Sequence, residues 1–287
     1  MLIQTLNRRF EVIRALGSDN DTEILVSRDV WEKKEREYLM VAVKNPDLIY
    51  KCIPFFTEQQ ENPAFKDFVG CFSADSRFYA VFAYYKKALL KEKFNEELFS
   101  LNERLEIGKN LLSRIVLLNM PPSILYEVLQ ERNLLLDDAL HVYFNYALKE
   151  IPIHGLFSMD RVQIELGRIF RSLLRRELAT QVVDEVRLFV EDLEQCKFAG
   201  YMEIYEAYDR LYDTLKDLQE IGELNPQSFL FRCWERIKSL SRYVKPVLAG
   251  AVLILALGYL IYSINNPVIK PKAPSPTIET IGTVQAE

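Results

Sequence analysis

The chain has 287 residues, of which 49% are hydrophobic and 27% are charged, a composition typical of a globular protein rather than a disordered one. The formal net charge is −5, and without a broad basic excess nucleic acid is not an expected partner. No two of the cysteines form a CxxC pair, and the spacing of the cysteines and histidines fits no zinc site. These residues are Cys52, Cys71, Cys196, Cys233, His141 and His154. The sequence therefore predicts reduced thiols, no metal centre and no cofactor.

The first 85 residues predict five β-strands and one helix, in the order three strands, helix, two strands. The strands are expected near residues 10–16, 23–28, 39–44, 68–72 and 78–84, and the charged segment 31–38 is expected at a hairpin tip. Pro46 suits the first turn of the helix, where its missing N–H would be unpaired in any case. Pro54 is expected to kink or interrupt that helix.

From about residue 89 onward the periodicity becomes helical. Ser100 and Glu103 form the capping box Ser-Leu-Asn-Glu, which predicts a helix that runs to about Leu118 and ends before Pro121-Pro122. Short apolar runs follow at residues 134–136 and 141–148, and amphipathic helices are expected near 159–178, 182–197 and 201–218. Together these patterns predict an α+β fold, with Asn225-Pro226 as a linker.

In the stretch 244–264, no residue after Lys245 carries a charge, and the stretch is long enough for a helix to cross a hydrocarbon core. We expect a single transmembrane helix here, with Tyr259 and Tyr262 toward the far interface; a buried core helix is the alternative. Basic residues precede the span and are scarce after it: Arg232, Arg236, Lys238, Arg242 and Lys245 come before, and Lys270 and Lys272 after. This bias predicts a single-pass plasma-membrane protein with a cytoplasmic N-terminal part.

Trp234 and other apolar residues of segment 229–243 recur at helical spacing, with basic residues between them. The segment could lie as a helix at the headgroup level, or it could continue the membrane helix, with its charges setting only the topology. The Pro-rich tail, residues 265–287, is expected to be extended and outside the cell. Small residues such as Gly250 and Gly258 could face a second copy, so a homodimer is one expected arrangement.

Several short motifs, in this order, resemble the eukaryotic-type protein kinase fold. The run Val41-Ala42-Val43-Lys44 resembles the strand with the kinase lysine, residues 78–84 resemble the strand before the hinge, and residues 133–136 resemble the segment that closes the catalytic loop. The resemblance implies a two-lobed domain: a five-stranded small lobe with one helix at residues 1–85, and a helical large lobe at residues 86–222. Residues 223–243 would then be a linker and juxtamembrane segment.

Phosphoryl transfer requires a loop over the phosphates, a lysine, carboxylate-held magnesium and a base. Residues 17–21 form an acidic turn with one glycine, Met120-Pro121-Pro122-Ser123 replaces His-Arg-Asp, and Phe144-Asn145-Tyr146 replaces Asp-Phe-Gly. Two required carboxylates are thus absent, and Asn145 carries no charge to balance a metal. The resemblance therefore implies an inactive kinase-like protein without catalytic residues.

Three residues are the expected contacts if a nucleotide binds: Lys44, Glu58 and Asn133, with Glu58 in an ion pair with Lys44. Each has a structural alternative, namely a lysine without a ligand, a solvated helix residue and a cap. Asp137 and Asp138 could be displaced metal ligands, or they could form a turn between two strands.

A kinase-like domain without catalytic groups, followed by one membrane helix, is similar to the membrane-anchored pseudokinase component of bacterial type VII secretion systems. That family has an extracytoplasmic domain where this chain has only residues 265–287. The similarity implies a cytoplasmic scaffold or docking module with protein partners at the membrane. The alternatives are a divergent nucleotide-binding protein, an atypical kinase that uses Lys44, and a nucleotide sensor without turnover.

Overall fold

The structure is a computed structural model that describes residues 1–32, 36–148, 158–180, 184–221 and 262. The chain divides into two units, Met1–Leu224 and Asn225–Glu287. The predicted membrane span, the juxtamembrane segment and the tail lie outside the described residues, apart from Tyr262, which is helical and exposed. Within the described ranges, no helix is both long enough and apolar enough to cross a bilayer.

An antiparallel sheet forms the first part of the first unit. Its strands are β1 (Leu2–Gln4), β2 (Arg9–Ser18), β3 (Thr22–Asp29), β4 (Glu37–Val43), β5 (Phe68–Ala74) and β6 (Arg77–Ala83), in the spatial order β1-β2-β3-β4-β6-β5. The apolar run of β4 is buried from Tyr38 to Val43, as its central position requires. The five predicted strands are confirmed. The additional strand, β1, has three residues, which is too short to show a period-two pattern.

The two faces of this sheet pack against different groups. Val41 and Val43 share a hydrophobic core with helix α1 (Pro46–Gln60), whereas Met40 and Ala42 belong to a second cluster on the opposite face. Alternate residues of a strand point to opposite faces. The position of a side chain in β4 therefore decides whether it can contact α1.

Helix α1 begins where the sequence predicts, because the Asn45 side chain accepts a hydrogen bond from the Asp47 amide and Pro46 occupies the first turn. The predicted interruption at Pro54 does not occur, and the helix continues to Gln60. The N–H that Pro54 lacks would have bonded the carbonyl of Tyr50. Because Tyr50 is 79% exposed, water can hydrate that carbonyl instead.

The rest of the first unit is mainly helical. Its helices are α2 (Leu90–Glu96), α3 (Leu101–Leu118), α4 (Pro122–Val128), α5 (Met159–Leu173), α6 (Arg175–Thr180), α7 (Asp184–Glu194) and α8 (Tyr201–Ile221). A second antiparallel sheet contains β7 (Ala88–Leu89), β8 (Leu134–Leu136) and β9 (Val142–Phe144). The predicted mixture of helices and antiparallel strands is confirmed.

The boundaries of α3 follow from its terminal residues. The Ser100 side chain accepts a hydrogen bond from the Glu103 amide, and the Glu103 carboxylate accepts one from the Ser100 amide, so the predicted capping box is present. Asn119 ends the helix in a left-handed conformation, with φ of 38°. Pro122 then opens α4, so the second proline of the pair begins a new helix as well as following the old one.

Helices α3 and α8 approach each other closely at Gly108. A Cβ atom added there would collide with the hydroxyl oxygen of Tyr208 and would lie 2.8 Å from the ring of Phe170. The Tyr208 hydroxyl donates a hydrogen bond of 2.9 Å to the carbonyl oxygen of Leu105, one turn earlier in α3. The absence of a side chain at Gly108 thus allows a buried tyrosine to bond to the backbone of α3.

The substitution Gly108→Ala is expected to lower the free energy of unfolding by about 1–2 kcal/mol. Overpacking costs about 1–3 kcal/mol, which exceeds the roughly 1 kcal/mol that alanine contributes through helix propensity. Urea unfolding of the full chain in detergent, followed by circular dichroism, measures the change. Gly17→Ala is the control, because no atom lies within 4 Å of an added Cβ there. A G108A protein as stable as G17A would contradict the close approach of the two helices.

Candidate functional site

A cleft of about 460 Å³ lies between the six-stranded sheet and the helical part of the first unit. The residues that line it come from β2, from the connection between β6 and β7, and from the region of β8 and β9: Arg14, Leu16, Tyr84, Tyr85, Lys86, Lys87, Leu89, Arg132, Leu135 and Asn145. Four of these side chains are basic and none of them is acidic. A cleft with one sign of charge concentrates ligands of the opposite sign, so this one favours anions.

Asp19 occupies the hydrogen-bond donors of the turn between β2 and β3. Its Oδ1 atom accepts hydrogen bonds from the amides of Asp21 (2.9 Å) and Thr22 (2.6 Å), and its Oδ2 atom accepts one from the Thr22 hydroxyl (2.9 Å). The bond from the Thr22 amide is the main reason why the pKa of Asp19 is lowered. The carboxylate is therefore ionised at neutral pH and fills the place that a phosphate would need at these two amides.

Lys44 does not meet Glu58. Its Nζ atom lies 2.9 Å from Oγ of Ser18 and 3.6 Å from a carboxylate oxygen of Glu23. Glu23 pairs with Ala42 across the ladder, so it lies on the face of the sheet opposite to the face that packs on α1. Glu58 is exposed on α1. Of the two alternatives for Glu58, the solvated helix residue agrees with its exposure, and Lys44 contacts the turn between β2 and β3 instead.

Asn133 has a structural role in the loop before β8. It is 1% exposed, its Nδ2 atom donates to the Glu127 carbonyl oxygen at 2.8 Å, and its own carbonyl accepts from the Asn145 amide at 2.8 Å. The Oδ1 atoms of Asn133 and Asn145 are both buried without a hydrogen-bond partner. Of the two, only Asn145 lines the cleft. The cap alternative for Asn133 thus agrees with its bonds, and the buried Oδ1 atom of Asn145 is not accessible to a ligand.

Asp137 forms the turn between β8 and β9. Its Oδ1 atom accepts hydrogen bonds from the amides of Ala139 (3.0 Å) and His141 (2.9 Å), and Asp138 pairs with Lys93. Neither aspartate lines the cleft. Across the part of the chain that the structure describes, no group of three or more His, Cys, Asp or Glu side chains could hold a metal ion.

Asp67 links the two parts of the first unit at the side of the cleft. This residue, between α1 and β5, is 5% exposed and accepts three side-chain hydrogen bonds. Tyr85 of the cleft donates to Oδ1 at 2.7 Å, while Arg114 of α3 and Tyr146 after β9 donate to Oδ2 at 2.7 and 2.8 Å. We refer to Asp67, Tyr85, Arg114 and Tyr146 as the Asp67 network.

Aromatic rings enclose the Asp67 network. The guanidinium of Arg114 lies 5.3 Å from the ring centre of Tyr85, and Tyr146 stacks on Phe82 of β6 with ring centres 4.7 Å apart. Burial, and after it the charge of Asp67, raises the pKa of Tyr85 to about 12, and the same two causes raise the pKa of Tyr146. Both hydroxyls are therefore protonated near neutral pH and can donate to Asp67 together.

Sequence reasoning missed the Asp67 network, since its four members lie far apart in the chain and no local pattern connects them. The role of Asp19 left a detectable signal, because an aspartate at the start of a turn typically accepts bonds from amides two and three residues later. Chemically, the site offers cations, and none of its lining side chains is a carboxylate that could hold magnesium. No protein-family model and no curated protein matches this sequence.

The substitution Asp67→Asn is expected to lower the free energy of unfolding by about 3 kcal/mol, since it leaves the Arg114 guanidinium without its counter-charge in a largely buried site. Denaturant unfolding of the full chain measures the loss. Glu37→Gln removes a carboxylate from an exposed pair with Lys86 and serves as the control, with an expected change below about 1 kcal/mol. Equal losses in the two variants would contradict the role assigned to Asp67.

Proposed function

We propose that the chain is a catalytically inactive, kinase-like protein of a bacterial plasma membrane. In this proposal it is anchored by one helix at residues 244–264 and acts as a cytoplasmic scaffold or docking module for a membrane-associated assembly, in the manner of a secretion-system pseudokinase. The observation that carries the proposal is the turn between β2 and β3, where Asp19 already takes the amides of Asp21 and Thr22. An amide bonded to an internal carboxylate cannot at the same time hold a nucleotide phosphate.

The arrangement of the first 89 residues supports a kinase-like small lobe. Three long antiparallel strands precede α1, two more follow it, and β6 lies next to β4 in the sheet. A short connection, residues 84–87, then leads from β6 to β7 and the helices, where a kinase has its hinge. A shared arrangement of strands indicates a fold, whereas the function depends on the side chains of the cleft.

Spacing within the catalytic loop supports the absence of a base. In active protein kinases the catalytic aspartate stands five residues before the asparagine of the same loop. Counting back from Asn133 gives Val128, an apolar residue of α4 with no exposed surface. Residues 120–123, where the resemblance places the His-Arg-Asp motif, contain no carboxylate either. A valine can neither accept the proton of an acceptor hydroxyl nor bind magnesium.

The Asp67 network and the shared core support a fixed cleft. Phosphotransferases that close over a substrate need two parts that can move relative to each other. Here one hydrophobic core runs from Ile24 in the sheet to Leu215 in α8, and three hydrogen bonds to the carboxylate of Asp67 join the parts at the cleft. A surface of constant shape suits docking of a partner better than it suits a catalytic cycle.

The nucleotide test uses the purified full chain in detergent. We expect no magnesium-dependent turnover of ATP and no rise in the unfolding temperature at millimolar ATP and magnesium, because a ligand stabilises only a protein that it binds. Lys44→Ala is the control variant. Turnover that disappears in Lys44→Ala would overturn the proposal in favour of an atypical kinase, and stabilisation without product would select a nucleotide sensor.

The membrane anchor is tested separately. The uncharged stretch predicts that the full chain stays in the membrane fraction after alkaline carbonate extraction, and that Leu255→Arg makes it extractable. An arginine near the centre of the span costs about 3 kcal/mol of insertion free energy. Leu255→Ile, which keeps the hydrophobicity, is the matched control. A wild-type chain released by carbonate would remove the membrane part of the proposal and leave the pseudokinase part standing.

A further inference from the structure

We infer that the cleft binds an acidic, extended segment of a partner protein. Carboxylates of that segment would pair with Arg14, Lys87 and Arg132, which come from different parts of the cleft lining. This inference rests on the proposed function as a docking module, and it names the class of partner that the module would take.

The charges of the cleft are incompletely balanced. Lys86 pairs with Glu37, and Arg132 has one long contact of 3.5 Å with Glu127. Arg14 donates to the Tyr84 hydroxyl at 2.7 Å and Lys87 lies over the ring of Tyr143, and neither forms an ion pair with any described carboxylate. Asp138 partly offsets the charge of Lys87: its pKa is lowered mainly by its bond to Lys93 and to a smaller extent by Lys87. A lining with four cations and no carboxylate still favours a ligand with at least two negative charges.

The positions of the basic residues narrow the choice of ligand. Arg14 belongs to β2, Lys87 to the connection between β6 and β7, and Arg132 to the loop before β8. A bare phosphate or sulfate ion is a single compact charge, whereas an acidic peptide carries several carboxylates along its length and can pair with cations at separate positions.

The connection at residues 84–87 suits an extended chain. It belongs to neither sheet, because β6 ends at Ala83 and β7 begins at Ala88, so its peptide groups lie outside both ladders. An extended peptide can pair with such backbone groups while its side chains reach the flanking lysines and arginines. A volume of about 460 Å³ accommodates a few residues of such a segment and excludes a folded domain.

A nucleotide is the competing ligand, and the turn between β2 and β3 argues against it. The amides of Asp21 and Thr22 are bonded to Asp19, and Lys44 is held by Ser18 and Glu23. A triphosphate would have to displace an internal carboxylate from these donors. An acidic peptide bound to Arg14, Lys87 and Arg132 requires no such displacement.

The test measures binding of a fluorescein-labelled short polyglutamate peptide to the full chain in neutral detergent by fluorescence anisotropy. We expect saturable binding that weakens several-fold as salt rises, since exposed charges are screened. Arg14→Glu with Lys87→Glu should weaken binding by about tenfold. Lys51→Glu with Lys66→Glu makes the same change of net charge at exposed positions outside the cleft lining, and should leave affinity unchanged.

Arg132→Gln, which removes a third cation of the cleft lining, should weaken peptide binding by about threefold. Circular dichroism confirms that each variant is folded. Equal affinity of wild type, R14E/K87E and K51E/K66E would overturn the inference, because the binding would then not involve the cleft. Displacement of the peptide by lower concentrations of ATP or inorganic phosphate would overturn it in favour of a phosphate ligand.

The same preparation separates this inference from the proposal beneath it. Magnesium-dependent ATP turnover would contradict the proposed function itself. A chain that shows neither turnover nor peptide binding would contradict only the acidic-segment inference and would leave the scaffold proposal intact.

Discussion

The carboxylate of Asp67 is the interaction on which the arrangement of the first unit depends most. A buried charge is tolerated only when its hydrogen-bonding capacity is filled and a counter-charge lies close. Asp67 obtains the counter-charge from Arg114 and additional donors from Tyr85 and Tyr146. These groups come from α3, from the wall of the cleft and from the segment after β9. The three hydrogen bonds to Asp67 therefore hold the sheet against the helices.

The Asp67 network also helps to determine the shape of the cleft. Tyr85 both lines the cleft and donates to Asp67, and Tyr146 follows directly after the cleft residue Asn145. In the turn between β2 and β3, the exposed carboxylate of Asp19 accepts its hydrogen bonds from the turn itself. The two aspartates thus have different roles. Asp67 joins distant elements, and Asp19 accepts hydrogen bonds from local amides that a ligand would otherwise use.

Local features of the fold were predictable from the sequence, since they depend on residues that are close in the chain. The capping box at Ser100 is confirmed because its bonds reach only three residues ahead, and the strand order around α1 follows from clear changes of periodicity. The contact of Lys44 with Glu23 follows from alternation along the strand, because Lys44 is two residues from Ala42 and so lies on the face of the sheet opposite to α1. The Asp67 network was not predictable, as its contacts join residues separated by between 18 and 79 positions.

The central claim is that the donors of the turn between β2 and β3 are already used within the chain, so that the cleft does not bind a nucleotide for transfer. Amide hydrogen exchange of the full chain, followed by NMR at Asp21 and Thr22, tests it directly. The account predicts that protection and chemical shifts at both amides are unchanged by saturating ATP and magnesium. A ligand-dependent increase in protection at either amide, together with a shift of the Asp19 carboxyl signal, would contradict it.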